Sequence, residues 1–262
     1  DSHQTLKLTG DRVEALDGRL KANFSQGKLQ SLSLDDQPMI TSGPQFNIWR
    51  APLDNDGVKG KEDQWTADWK PLGRWMKAGY KNLKEEILSA ELQEKDGSIQ
   101  ASSQVRYTPE SSEGAFDVTY RTIIHGDGEI ELQHEFSFKE GMPDVPRLGL
   151  RLNLSEGLET LTWLGMGPHE SYVDRQRGVH FGQFESTVAD QFYPYIVPQE
   201  CGNKEGVQWC SFVNDQNHGL KVSTDKDSFS FSALHYSPEQ LTKAYHPYEM
   251  DAVPETTLLI DA

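Results

Sequence analysis

The stretch Arg147-Leu-Gly-Leu-Arg-Leu-Asn-Leu154 places a leucine at every second position, with Arg147, Arg151 and Asn153 among the residues between them. Side chains of a strand point alternately to its two faces, so this is a strand with one apolar and one polar side. Such a strand belongs to an antiparallel sheet with one wet face, or to two stacked layers. Upstream the pattern continues. Leu83 to Lys95 and Ile99 to Tyr107 flank the turn Asp96-Gly97, and Phe116 to Ile124 and Ile130 to Phe138 flank Gly126-Asp-Gly128. Nearer the amino terminus, Val13-Glu-Ala-Leu16 and Leu20 to Phe24 embrace Asp17-Gly18, a two-residue hairpin signal, and Leu29 to Leu34 follows Gln26-Gly27. No strand-helix alternation occurs, which argues against a parallel-sheet fold.

Downstream, Leu158 to Leu164 reads as a strand that breaks at Gly165-Met-Gly-Pro168. Phe192 to Val197 reads as an aromatic strand framed by Pro194 and Pro198, and Glu200 to Lys204 as a surface loop, because Gly202-Asn203 permits positive φ. Trp209 to Phe212, Leu220 to Val222, Phe229 to Tyr236 and Thr256 to Ile260 are further strands. Only two places depart from period two. Trp65, Trp69, Leu72, Trp75, Met76 and Tyr80 recur at helical spacing with Pro71 and Gly73 interrupting, so one short helix or two is expected. Ser237-Pro-Glu-Gln-Leu carries the cap and first-turn proline of another. An all-β antiparallel fold in a single domain over residues 1–262 is the economical reading.

The net charge of −16 over 262 residues argues against a nucleic-acid or anionic-membrane surface, both of which need clustered Lys and Arg. No apolar run is long enough to span a bilayer, and Asp1 to Thr5 has no signal-peptide character. Cys201 and Cys210, with no ligand-spaced partners, read as free thiols rather than a zinc site.

No nucleophile elbow, phosphate loop or zinc-protease helix is present. What remains are carboxylates in turns: Asp54 and Asp56, Glu170 and Asp174, and Glu200. A glycosidase needs two carboxyl groups about a glycosidic bond, but an acidic chain offers such pairs by chance. A pairing of Glu170 with Arg175, or of Asp174 with Arg177, that orients a turn is the better reading. Asp54, Asn55 and Asp56 have the oxygens of a cation site, yet an Asx-turn network is favoured. Tryptophans 65, 69 and 75 would suit sugar stacking if exposed, and core packing is favoured at this spacing.

Longer motifs carry a resemblance. Trp163-Leu-Gly-Met-Gly-Pro-His-Glu-Ser-Tyr-Val-Asp-Arg175 resembles the W-L-G-x-G-P-x-E-x-Y-x-D-R stretch of large bacterial β-galactosidases of glycoside hydrolase family 2. Arg50-Ala-Pro-Leu-Asp-Asn-Asp56 resembles that family's R-A-P-x-D-N-D. Tyr195 to Lys204 is similar to its P-Q-E-N-G-N segment, with Cys201 where the family usually has Asn. His235-Tyr-Ser-Pro-Glu-Gln-Leu241 resembles its H-Y-S-x-x-x-L.

All four motifs belong to the family's C-terminal domain, a separate small chain in some bacteria. The resemblance implies a β-supersandwich like that of aldose 1-epimerases (galactose mutarotase-like). It implies a part in the retaining hydrolysis of terminal β-D-galactosides, with the catalytic glutamates on a TIM barrel elsewhere and none here. Glu200, Gly202 and Asn203 are then the positions closest to substrate. Arg50, Asp54, Asn55, Asp56, Glu170, Tyr172, Asp174 and Arg175 are structural signatures.

No metal or cofactor is expected on this domain; the parent enzyme's Mg and Na ions would sit in other domains. Partners would be the remaining domains or large chain, in a cytoplasmic or exported homo-oligomer. The family's sugar-packing tryptophan, in a G-G-D-x-S-W segment after the last matched strand, has no counterpart in these residues. Two other classes are weighed against this: a stand-alone carbohydrate-binding module and an aldose 1-epimerase.

Overall fold

A computed structural model describes residues 6–111, 114–139 and 141–261; the terminal residues Asp1 to Thr5 and Ala262 lie outside them. The chain divides into two compact units, residues 1–44 with 75–144, and residues 45–74 with 145–262.

In the first unit β1 (Lys7–Thr9), β2 (Arg12–Ala15), β3 (Leu20–Ser25), β4 (Lys28–Leu34) and β5 (Gln37–Asn47) form an antiparallel meander in sequence order. The predicted hairpin at Asp17-Gly18 is a one-turn 3-10 segment, Leu16–Gly18, with φ of 50° at Leu16 and 56° at Asp17. A second antiparallel sheet runs β6 (Leu83–Lys95), β7 (Ser98–Pro109), β8 (Phe116–Ile124), β9 (Ile130–Phe138). Alternate residues Ile99, Ala101, Val105 and Tyr107 of β7, and Phe116, Val118, Tyr120 and Ile124 of β8, are buried. The turn before β4 presses against β7 so closely that a Cβ on Gly27 would stand 2.0 Å from the Ser102 carbonyl oxygen. Only glycine fits there.

The second unit repeats the two-layer plan. One sheet has the order β10 (Gly149–Leu154), β17 (Thr256–Asp261), β16 (Phe229–Leu234), β13 (Lys204–Val207). The other has β12 (His180–Thr187), β11 (Thr160–Gly167), β14 (Trp209–Val213), β15 (Gly219–Ser223). Trp163, Leu161, Phe212, Phe231, Val207 and Leu258 are sealed between them. On β11, Gly165 lets the layers close: a Cβ there would lie 2.8 Å from a Val207 methyl. The strand thus runs through the glycines expected to end it, and the chain turns at the cis Gly167–Pro168 bond.

The helical stretch is two short helices, α1 (Glu62–Trp65) and α2 (Pro71–Ala78). Trp75 is core, Trp65 is half-buried, and Trp69 is 68% exposed, so the core reading fails for Trp69. Helix α3 (Pro238–Lys243) starts on the Ser237 cap, whose side chain accepts from the Gln240 N–H in a full capping box.

The all-β antiparallel expectation holds. Phe192 to Val197, however, is not a strand: Pro194 and Pro198 remove two donors, and the Tyr195 N–H donates to the Tyr193 carbonyl at 2.8 Å in a tight local turn.

Candidate functional site

Three of the sequence motifs meet in the second unit, and each is built around a charged residue tied into the backbone. In Arg50 to Asp56, the guanidinium forks onto the Asp56 carboxylate at 2.6 and 3.1 Å. Asp56 also accepts from the Leu53 N–H at 2.8 Å, and the Arg50 Nε donates to the Pro146 carbonyl at 3.1 Å. This is the favoured turn network: Asp56 is buried and fully engaged, while Asp54 and Asn55 are left exposed at its tip.

The stretch His169 to Arg175 is organised by Glu170. One of its carboxylate oxygens accepts from both Arg175 and the Tyr195 hydroxyl, and the other accepts from the Gly202 N–H at 2.8 Å. The backbones of Tyr172 and Arg175 exchange both hydrogen bonds, at 3.2 and 2.9 Å, closing a two-residue turn with Val173 and Asp174 at its tip. Arg175 lies over the Tyr172 ring, 5.1 Å from its centroid. The Glu170–Arg175 pairing is therefore as expected. Asp174 is exposed and makes no ion pair with Arg177 among the described residues.

The segment 200–204 is not a surface loop. Glu200, Cys201, Asn203 and Lys204 are all at most 4% exposed. The reason is a buried charge cluster around Arg147, which the alternation had placed on a polar face. Its guanidinium reaches Glu200 at 3.0 Å, Asp261 at 2.5 Å, Ser232 at 3.3 Å and Asn203 at 3.4 Å. Asn203 in turn donates to the Ser171 carbonyl at 2.9 Å and accepts the Ser171 N–H on its own carbonyl at 2.8 Å. The two loops are thereby stitched into one body.

Burial governs the electrostatics. It pushes the Glu200 and Asp261 carboxyls up, against the pull of Arg147. It works against the Arg147 charge too, but Asp261 and Glu200 together hold that guanidinium's pKa above its ordinary value. Lys204, beneath Glu170 and 5.2 Å from the Trp163 ring centre, is lowered by burial to about 8. The Tyr172 hydroxyl is buried with no hydrogen-bond partner among the described residues, and its pKa is driven well upward by that burial.

Two cavities open beside these loops. One, of about 630 Å³, lies between His169, Glu170 and Arg175 on one side and Gln191, Tyr193 and Tyr195 on the other. The second, of about 190 Å³, is lined by Asp54, Asn55, Tyr172, Asp174, Gln199 and Glu200, so three motifs supply one wall each. Gly202 and Asn203 back this wall rather than line it; a Cβ on Gly202 would meet the Gln191 carbonyl oxygen at 2.7 Å. In the fourth motif His235 bridges Glu159 at 2.9 Å and the Glu255 carbonyl at 3.1 Å, and it lines neither of these two cavities. Sequence reasoning missed Asp261, Ser171 and Tyr195. The one available signal was Arg147 and Asp261 standing at the ends of two strands that pair, Gly149 opposite Asp261.

The fold and these turns define an all-β antiparallel protein whose loops are laced by buried ion pairs, and comparison with known proteins gives the family. The family model described as β-galactosidase small chain matches residues 17–262. The chain belongs to that family. It is similar to the β-galactosidase of Priestia megaterium, 30% identical over 261 residues, which is 99% of this chain and 23% of the relative. The Lactobacillus delbrueckii subsp. bulgaricus β-galactosidase is 32% identical over 251 residues, 95% of this chain and 23% of the relative. That of Streptococcus thermophilus is 30% identical over 236 residues, 90% and 22% respectively. The chain thus spans less than a quarter of the length of the curated relatives it matches.

Proposed function

We propose that this chain is the pocket-shaping C-terminal domain of a retaining β-galactosidase, acting on terminal β-D-galactosides together with catalytic glutamates on another part of the enzyme. The observation that carries it is the engagement of the two cavity glutamates, Glu170 and Glu200. A retaining glycosidase needs two carboxyl groups about 5 Å apart and free to meet the sugar. Here Glu170 is held by Arg175, Tyr195 and Gly202, and Glu200 by the buried Arg147. Neither is free to attack or to protonate a leaving group. Their work is to fix the loops whose outer residues, Asp54, Asn55, Asp174 and Gln199, form the rim of the small cavity. Glu200, Gly202 and Asn203 then act on substrate from behind, by holding that rim.

The reading brings with it the remaining domains or large chain as partner, a homo-oligomeric cytoplasmic parent, and Mg and Na ions held outside this chain. It is tested by nitrophenyl-galactoside hydrolysis. The chain alone is expected to give no turnover, and turnover is expected to appear when the remaining β-galactosidase polypeptide is supplied. Full activity from the chain alone would overturn it.

One observation favours a second reading, independent sugar binding. Trp69 is 68% exposed, an aromatic ring of the kind sugars stack on, although the Lys70 ammonium lies over one of its faces, 5.2 Å from the ring centre. Calorimetric titration with galactose and lactose decides: heat lost on Trp69→Ala supports this reading, and no heat from the unaltered chain dismisses it.

A further inference from the structure

We infer that the amine of Lys204 is a site of imine formation with small hydroxyaldehydes, admitted through the cavity between His169 and Tyr193. The inference stands independently of the proposed function.

Lys204 opens β13, where it pairs with Phe231, and its side chain turns inward until the residue is almost sealed from solvent. The ammonium lies 5.2 Å from the centre of the Trp163 ring. It spends one of its three N–H donors, on the Gly202 carbonyl at 3.2 Å, and makes no ion pair among the described residues. Glu170 favours its charge, yet that carboxylate is already engaged by Arg175, Tyr195 and the Gly202 N–H. An ammonium buried with donors unspent loses more hydration than it regains. Its pKa falls to about 8 for that reason.

Lys59 is the internal comparison. Burial lowers it to about 8 as well, but it gives all three donors to the carbonyls of Pro198, Leu241 and Ala244. It also lines neither cavity. Titration therefore does not separate the two lysines, whereas hydrogen bonding and access do. Lys204 keeps two donors unspent and stands in the wall of the cavity of about 630 Å³, within the range of about 300–1,000 Å³ usual for small-molecule sites. The same wall carries His169, Ser186 and Asp190, polar side chains that suit a hydroxylated aldehyde better than an alkyl one.

A desolvated lysine beside such a cavity is of the kind that forms Schiff bases. At pH 7 a pKa of about 8 leaves about one amine in ten unprotonated, against about one in three thousand at the ordinary value. The nitrogen lone pair adds to the aldehyde carbon, the carbonyl π pair goes to oxygen, and a proton passes from nitrogen to that oxygen. The carbinolamine then loses its hydroxyl together with the remaining nitrogen proton, as water, and a carbon–nitrogen double bond is left. No oxidant or reductant is needed.

The test incubates the unaltered chain briefly with glycolaldehyde between pH 6 and 10, traps imines with borohydride and maps the adducts by peptide mass spectrometry. At pH 7 Lys204 should be modified at least about tenfold faster than the exposed Lys84 and Lys95, and Lys59 should stay unmodified. The yield at Lys204 should level off above about pH 8, while that of the exposed lysines goes on climbing. Modification of Lys204 no faster than Lys84 and Lys95 would overturn the inference. Modification of Lys59 as fast as Lys204 would show that titration alone governs reactivity, and would equally overturn the part given to the cavity.

Discussion

Arg147 and Glu200 are joined at 3.0 Å with side chains only 4% and 3% exposed, so neither charge can fall back on water if the other is removed. Breaking a buried pair from one side costs about 3–5 kcal/mol, because it strands the partner. Asp261 offers Arg147 a second carboxylate, which places Glu200→Ala at about 3 kcal/mol, the low end of that range. Glu200→Gln keeps an acceptor and should cost less. Urea unfolding monitored by tryptophan fluorescence measures both, and an alanine variant as stable as the unaltered chain would show that the cluster does not support the fold.

Glu170 is the corresponding link between the two loops. Replacing it with Gln turns one acceptor oxygen into a donor that must face Arg175 and Tyr195, or the Gly202 N–H. An unsatisfied or opposed buried group costs about 1–3 kcal/mol, and a lower melting temperature is expected for Glu170→Gln. Sugar binding lost at an unchanged melting temperature would instead make Glu170 a ligand group.

Strands were legible because their signal is local: period-two alternation is written in each segment, as in Arg147 to Leu154. The burial of Glu200 to Lys204 was not. Gly202-Asn203 is turn chemistry wherever it sits, and what buries it is Arg147, 53 residues from Glu200, and Glu170, 32 residues from Gly202. Arg147 itself fits the alternation and lies just before β10, where sequence cannot tell a wet face from a sealed one. Phe192 to Val197 misled for the opposite reason: its aromatic content suits a strand, while Pro194 and Pro198 deny it the ladder. Three of the family motifs fall on loops that meet in the structure, and the geometry separates residues that line the cavities from residues that hold them.

Cys201 and Cys210 are fully buried and unpaired. Burial raises both thiols, Cys201 to about 12, so neither supplies thiolate at neutral pH. Since the thiolate is the reacting species, a chromogenic disulfide reagent should label neither cysteine in the folded chain and both once denaturant is added. Rapid labelling of the native chain would mean that the Cys201 loop opens readily.

Lys59 gives the clearest pH signature. Its ammonium is buried and donates to the carbonyls of Pro198 at 2.5 Å, Ala244 at 2.8 Å and Leu241, fastening the turn after Asp56 to the end of α3. Burial lowers its pKa from 10.5 to about 8, although Asp54 and Glu249 favour the charged form. A base with a depressed pKa binds fewer protons folded than unfolded between those two values. Stability from this group therefore rises as pH increases across that window. The unaltered chain should gain on Lys59→Met between pH 8 and 10.5, read as the difference in their urea midpoints at each pH. A gap that closes as pH rises would show that the folded state favours the ammonium, and that the three carbonyls outweigh its loss of water.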